Sequence, residues 1–130
     1  MIERNQLIYI EHKSGHAHSG PAWITRAQVS KSRKTIYFNR RALKRLGGQG
    51  ISGNYYCLET GDEFWVSGVK VTGGDRHWAG NGPVMVDKRV LESYLVHRGL
   101  MTLDPSVYKV DSNLKDTDVS RFHDLENVPL

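Results

Sequence analysis

Apolar and polar positions alternate along most of the first ninety residues, at the spacing of strands. "QLIYIEH" (6–12) is a short β-rich run and a predicted first strand. "AWITRAQVS" (22–30) alternates, with Trp23, Thr25, Ala27 and Val29 on one side and Ile24, Arg26 and Gln28 on the other. "TIYF" (35–38) strongly favours strand. Asn39 and Arg40 then form a serviceable two-residue turn into "RALKRL", although that stretch also has the composition of a short helix from Arg40 to Leu46. "NYYCLE" (54–59) and "EFWVSGVKV" (63–71) make a further hairpin, and "PVMVD" (83–87) is one more brief strand.

The period changes at "DKRVLESYLVHRG". Asp87 is a good N-cap, Val90, Leu91, Tyr94 and Leu95 share one helical face, and Gly99 closes the helix predicted over 87–98. Beyond residue 100 only "SVYKV" has a pattern, and Asp104-Pro105 breaks the chain. The expected fold class is therefore mainly β (α+β). A small antiparallel barrel or bent sheet of six to seven short strands would carry one C-terminal helix. Residues 1–100 are expected to form a single domain and 101–130 an acidic, weakly ordered tail.

Charge changes the picture more than composition does. The 130 residues fit one domain, and their mean hydropathy is −0.50. A single cysteine, Cys57, excludes an internal disulfide and fits a reducing compartment. No apolar leader or membrane-length run is present, so a cytoplasmic protein without membrane contact is expected. Between Glu11 and Glu59 stand nine basic residues and no acid, whereas residues 100–130 carry a net charge of −3. Such asymmetry predicts a basic face for a polyanion and an acidic segment that competes for it. Arginine and lysine interleave there with aromatics, a pattern that suits single-stranded nucleic acid. Arg26, Lys34, Arg41, Lys44 and Arg45 are the candidate phosphate contacts, with Tyr37 or Trp23 stacking on bases.

Three other constellations carry chemistry. Gly48, Gly50 and Gly53 have the spacing G-x-G-x-x-G, but a strand-forming segment follows instead of a helix, so the loop lacks the amides and dipole of a dinucleotide site. "GGDRHWAGNG" places Asp75 and His77 where a proton-transfer pair could form, with Arg76 and Trp78 as a ligand loop beside them. His12, His16 and His18 have metal-compatible spacing but no second half-site, so neither a metal nor a cofactor is expected. Cys57, inside a strand, reads as a small buried apolar group.

"SKSRKTIYFNRRALKR", "GNYYCLETGDEFWVSGVK" and "DRHW" together resemble a group of small uncharacterised bacterial proteins. These share a Y-x-N-G-R turn, a G-N-Y-x-x-x-E-T-G-E-x-[YF]-W-[VI]-S-G-x-K core and a following D-R-H-W. The resemblance covers about residues 22–90 and implies boundaries without a mechanism. Arg40 stands where the group has glycine. The label deoxyxylulose-phosphate synthase, sometimes attached to members, does not fit: those thiamine-diphosphate enzymes are several times longer, and no G-D-G motif occurs here. Three functions stay open. The first is a binding module with a basic face for nucleic acid. The second is an immunity-type module that neutralises a protein partner. The third is a small nuclease or hydrolase centred on Asp75 and His77.

Overall fold

A computed structural model describes residues 2–15, 20–47, 53–75 and 82–126, the side chain of Glu126 excepted. The chain is mainly β. Strands β1 (Leu7–His12), β2 (Ala22–Arg26), β3 (Gln28–Val29), β4 (Thr35–Phe38), β5 (Arg41–Arg45), β6 (Tyr55–Cys57), β7 (Glu63–Gly68), β8 (Val84–Asp87) and β9 (Tyr108–Asp111) lie in one sheet. Helices α1 (Leu91–Arg98) and α2 (His123–Glu126) follow β8 and end the described chain. Strand order is β3-β4-β5-β6-β7-β1-β2-β8-β9.

β2 and β3 are one run of chain, broken at Ala27. Its first half pairs with β1 and its second with β4. Ala27 instead exchanges backbone bonds with the turn before β1, through Gln6 O at 2.8 Å and Asn5 N at 2.9 Å. The sheet that leaves β3 thus returns to the same run at β2, which curls it into a half-barrel. The inner face is lined by Ile8, Ile10, Ile36, Phe38, Leu43, Cys57, Phe64 and Val66, all buried. On the outer face of β1, β2 and β8, Tyr9, Ile24 and Val86 pack under Val90 and Tyr94. The predicted C-cap of α1 is present, whereas Asp87 caps the 3-10 turn Lys88–Val90 that leads into α1, and Val90 at the start of α1 has no side-chain cap bond. Asp87 accepts from Arg89 N, and Gly99 sits at φ 65°, ψ 32°, a left-handed conformation that costs glycine little.

Four expectations need correction. Nine strands among the described residues replace six to seven, because the run 22–30 divides at Ala27 and β9 adds a strand. The sheet is mixed: β8 runs parallel to both β2 and β9. The β8–α1–β9 segment supplies the crossover that a parallel pair requires. A second short helix, α2, accompanies α1. Of the acidic segment expected as a tail, the described part, to residue 126, lies on the sheet as a strap. Leu114 packs against the inner core, and Phe122, fully buried, packs on Tyr37 and Ala42.

The same segment explains how Arg40 tolerates its turn. Asn39 and Arg40 both have positive φ, 46° and 67°, the geometry of a type I′ hairpin that prefers glycine second. Three hydrogen bonds from the strap hold it. Lys115 N donates to Asn39 Oδ1 at 3.0 Å, Arg40 N donates to Thr117 Oγ1 at 2.9 Å, and Arg121 Nη1 donates to Arg40 O at 3.0 Å. The β4–β5 hairpin forms, and the helical alternative does not.

Candidate polyanion groove

Cross-strand register decides which basic residues meet. Gln28, Tyr37 and Ala42 are partners in adjacent strands, as are Thr35 and Lys44, so these five share the outer face of β3, β4 and β5. The β3–β4 connection folds back over that face. Ser30 N donates to Thr35 O at 3.0 Å, Arg33 N to Ser30 O at 3.0 Å, and Arg33 adopts φ 62° to close the turn. This hairpin brings Lys31 and Lys34 beside Lys44. The N-terminal turn supplies Arg4, and the strap contributes Val119 and His123 as the far wall. The result is a groove of about 690 Å³ with Tyr37 on its floor.

Among the described residues no carboxylate lines this groove. Among the described residues Lys31, Lys34, Lys44 and Arg4 form no ion pair, whereas Arg33 pairs with Glu3 at 3.1 Å, Arg89 with Asp87 at 2.8 Å and Arg121 with Glu59 at 2.8 Å. Four uncompensated cations on one concave surface raise the local positive potential and attract phosphate. Ser30 and Ser32 add hydroxyl donors at the rim.

A second cleft of about 520 Å³ adjoins the first and shares Arg4, Gln28, Val29 and Tyr37 with it. Its charges are largely balanced. Thr25 Oγ1 donates to Asp87 at 2.8 Å, and Arg89 bridges Asp87 and Asp116, the latter at 2.6 Å. Burial pushes the Asp87 carboxyl up, but the bonds from Arg89 and Thr25 outweigh it and hold the group below the ordinary aspartate value.

The six expected nucleic-acid contacts are scattered. Lys34 and Lys44 line the groove. Arg26 stands in the second cleft, where it donates to Asn5 O at 3.0 Å and Ser93 Oγ at 2.7 Å. Arg41 turns to the opposite face, 6.0 Å over the Phe64 ring. Arg45 sits at the barrel end beside Tyr55, whose hydroxyl burial pushes up while Arg45 opposes the shift. Tyr37 is 4% exposed, its ring 6.4 Å from Phe122, and offers no face for a base. Trp23 packs on Phe38 at 5.0 Å. Sequence reasoning missed Arg4 and Lys31 as site residues. Lys31 had a signal in its place beside Lys34 in the polar turn; Arg4 had none, because only the curl of the sheet brings it in.

Asp75 holds together a loop. Its Oδ1 accepts from Lys70 N at 2.8 Å and its Oδ2 lies 3.4 Å from Arg98 Nη1, with the Asp75 side chain 4% exposed. Burial raises its pKa; the Lys70 bond and Arg98 charge oppose that. His77, Arg76 and Trp78 lie outside the described residues, as do His16 and His18. His12 is engaged by Asp62 at 3.0 Å and stacks on Phe64 at 4.7 Å. Cys57 is buried in the inner core, as its strand context predicts.

Gly48 and Gly50 also lie outside the described residues, but Gly53 has a structural explanation. A Cβ there would stand 2.6 Å from Phe64 O, and the Gly53 amide already donates to Glu63 Oε1 at 2.9 Å. Its neighbours are the antiparallel strands β5 and β6, without a helix N-terminus to hold a pyrophosphate. Comparison with protein-family models, curated proteins and solved structures gives no match.

Proposed function

We propose that this protein is a small binding module that grips single-stranded nucleic acid, or a polyanion of like charge density, along the groove of Arg4, Lys31, Lys34 and Lys44. The observation that carries this reading is the set of four cations that meet no carboxylate and no ion-pair partner among the described residues. Phosphate contacts give affinity, steep salt dependence and little sequence information. With Tyr37 covered by Phe122, the groove lacks a stacking platform, which supports binding through the backbone more than through bases. A cytoplasmic location fits this reading, because nucleic acid is found there.

The test is fluorescence anisotropy of labelled oligo-dT, oligo-dA and oligo-U. Binding at low salt, similar for all three, is expected; no binding at low salt overturns the reading. It would favour the immunity-type alternative, in which the groove receives an acidic protein surface. A nuclease centred on Asp75 gains no support from an aspartate held by Arg98 and the Lys70 amide.

A further inference from the structure

β9 ends the sheet, and its outer edge bears no strand among the described residues. Which backbone groups face outward follows from the ladder. Val84 N donates to Val107 O at 2.8 Å, and Val84 is the partner of Tyr108. In a parallel ladder with that register, residues 107, 109 and 111 direct their groups toward β8. The N–H and C=O of Val110 and the C=O of Tyr108 therefore face away from the sheet. Tyr108 N is already bonded to Asp104 O at 2.9 Å. Val107 and Val110, 42% and 44% exposed, add apolar surface along this edge.

An open edge is a template for another strand, and a single lysine on it ordinarily discourages pairing. Here Lys109 is followed two residues later by Asp111. Two copies of β9 set antiparallel about a two-fold axis at Val110 would exchange both Val110 hydrogen bonds. The same register places Lys109 of each copy opposite Asp111 of the other, with opposite charges meeting twice. Ser112 N would reach the Tyr108 carbonyl of the partner copy. Backbone polarity, register and charge thus agree on one arrangement, which is also the self-complementary one that a two-fold interface demands.

We propose that β9 is a homodimerisation edge, and that two copies of this chain join through it into a continuous sheet. The exposed interface is short, so association is weak and visible only at high concentration. Analytical ultracentrifugation of the full chain, up to about 1 mM, should show a monomer–dimer equilibrium. Lys109→Glu sets acids opposite Asp111 and should weaken the dimer about tenfold. Asp111→Lys should do the same with bases. An equimolar mixture of the two variants sets the introduced Glu opposite the introduced Lys at one contact and the native Asp111 opposite the native Lys109 at the other, and should restore dimerisation as a heterodimer. Val110→Pro removes an amide that β8 does not use and should abolish association. Its retained circular dichroism spectrum would show that the fold survives; if it does not fold, the charge variants and their mixture decide alone. A strictly monomeric protein at the highest concentration would overturn the proposal. So would a dimer unaffected by the charge variants.

Discussion

Glu11 on β1 and Lys44 on β5 both project from outer faces of the same curled sheet. Glu11 is 1% exposed, meets Lys13 at 2.8 Å and accepts from the Tyr9 hydroxyl at 2.5 Å. Arg98, at the end of α1, is likewise set against the buried Asp75. Lys44, with Lys31, Lys34 and Arg4, faces an open groove and meets no acid among the described residues. A charge taken out of water has to be matched within the chain, because desolvation otherwise costs several kcal/mol. A solvated cation needs no match, and clustering four of them brings the fold only mutual repulsion. The paired face is thus explained by stability, whereas stability gives no reason for the unpaired one.

The strongest way to break that comparison is to make the same substitution on both faces. Lys13→Met removes the 2.8 Å ion pair with the buried Glu11 and should cost about 3 kcal/mol in urea denaturation. Lys44→Met should stay within about 0.5 kcal/mol of wild type, as a solvated substitution does. Equal costs would end the distinction. Phe122→Ala comes next, at about 3 kcal/mol, because it empties a fully buried aromatic site between Tyr37 and Ala42. It also uncovers Tyr37, so it should strengthen oligonucleotide binding in a variant that remains folded.

Asp87 and Asp75 sharpen the comparison through pH. The folded value of Asp87 lies below 3.8, so its contribution is complete above that pH and is lost as pH falls through the folded value. Asp87→Asn should cost about 2 kcal/mol at neutral pH, through the weakened Arg89 and Thr25 bonds, and should flatten the acid limb of the stability profile. Asp75 is raised above 3.8, so it binds a proton more readily folded than unfolded. Its contribution therefore grows as pH falls toward 3.8, and Asp75→Asn should remove that rise. Thermal melts across pH 3 to 7, with the two variants sharing one profile, would contradict the assignments.

Much of the fold was legible because local signals agreed with the tertiary structure. Asp87 caps the 3-10 turn that leads into α1 and Gly99 closes the helix, as their chemistry dictates, and "TIYFNRRALKR" folds as a hairpin. Alternation failed where both faces are covered. All four residues of β4 are buried, so nothing in the sequence told whether Tyr37 faces a ligand or the chain. Phe122 is a lone aromatic in a polar segment without a period to mark it as core. The parallel pairing of β8 depends on a crossover, and crossover geometry leaves no trace in alternation. The basic run was correctly visible as charge, but register divides it, sending Arg41 and Arg45 to the other side while the curl brings in Arg4.

The central claim is that the groove cations hold phosphates, and the salt dependence of binding tests it most directly. Affinity of wild type for oligo-dT should fall steeply as salt rises. The Arg4→Gln, Lys31→Gln, Lys34→Gln, Lys44→Gln quadruple variant should bind more weakly, with its log–log slope shallower by roughly 3, the value for four single-strand phosphate contacts. An equally large effect from Arg41→Gln and Arg45→Gln, with the quadruple variant keeping the wild-type slope, would contradict the account.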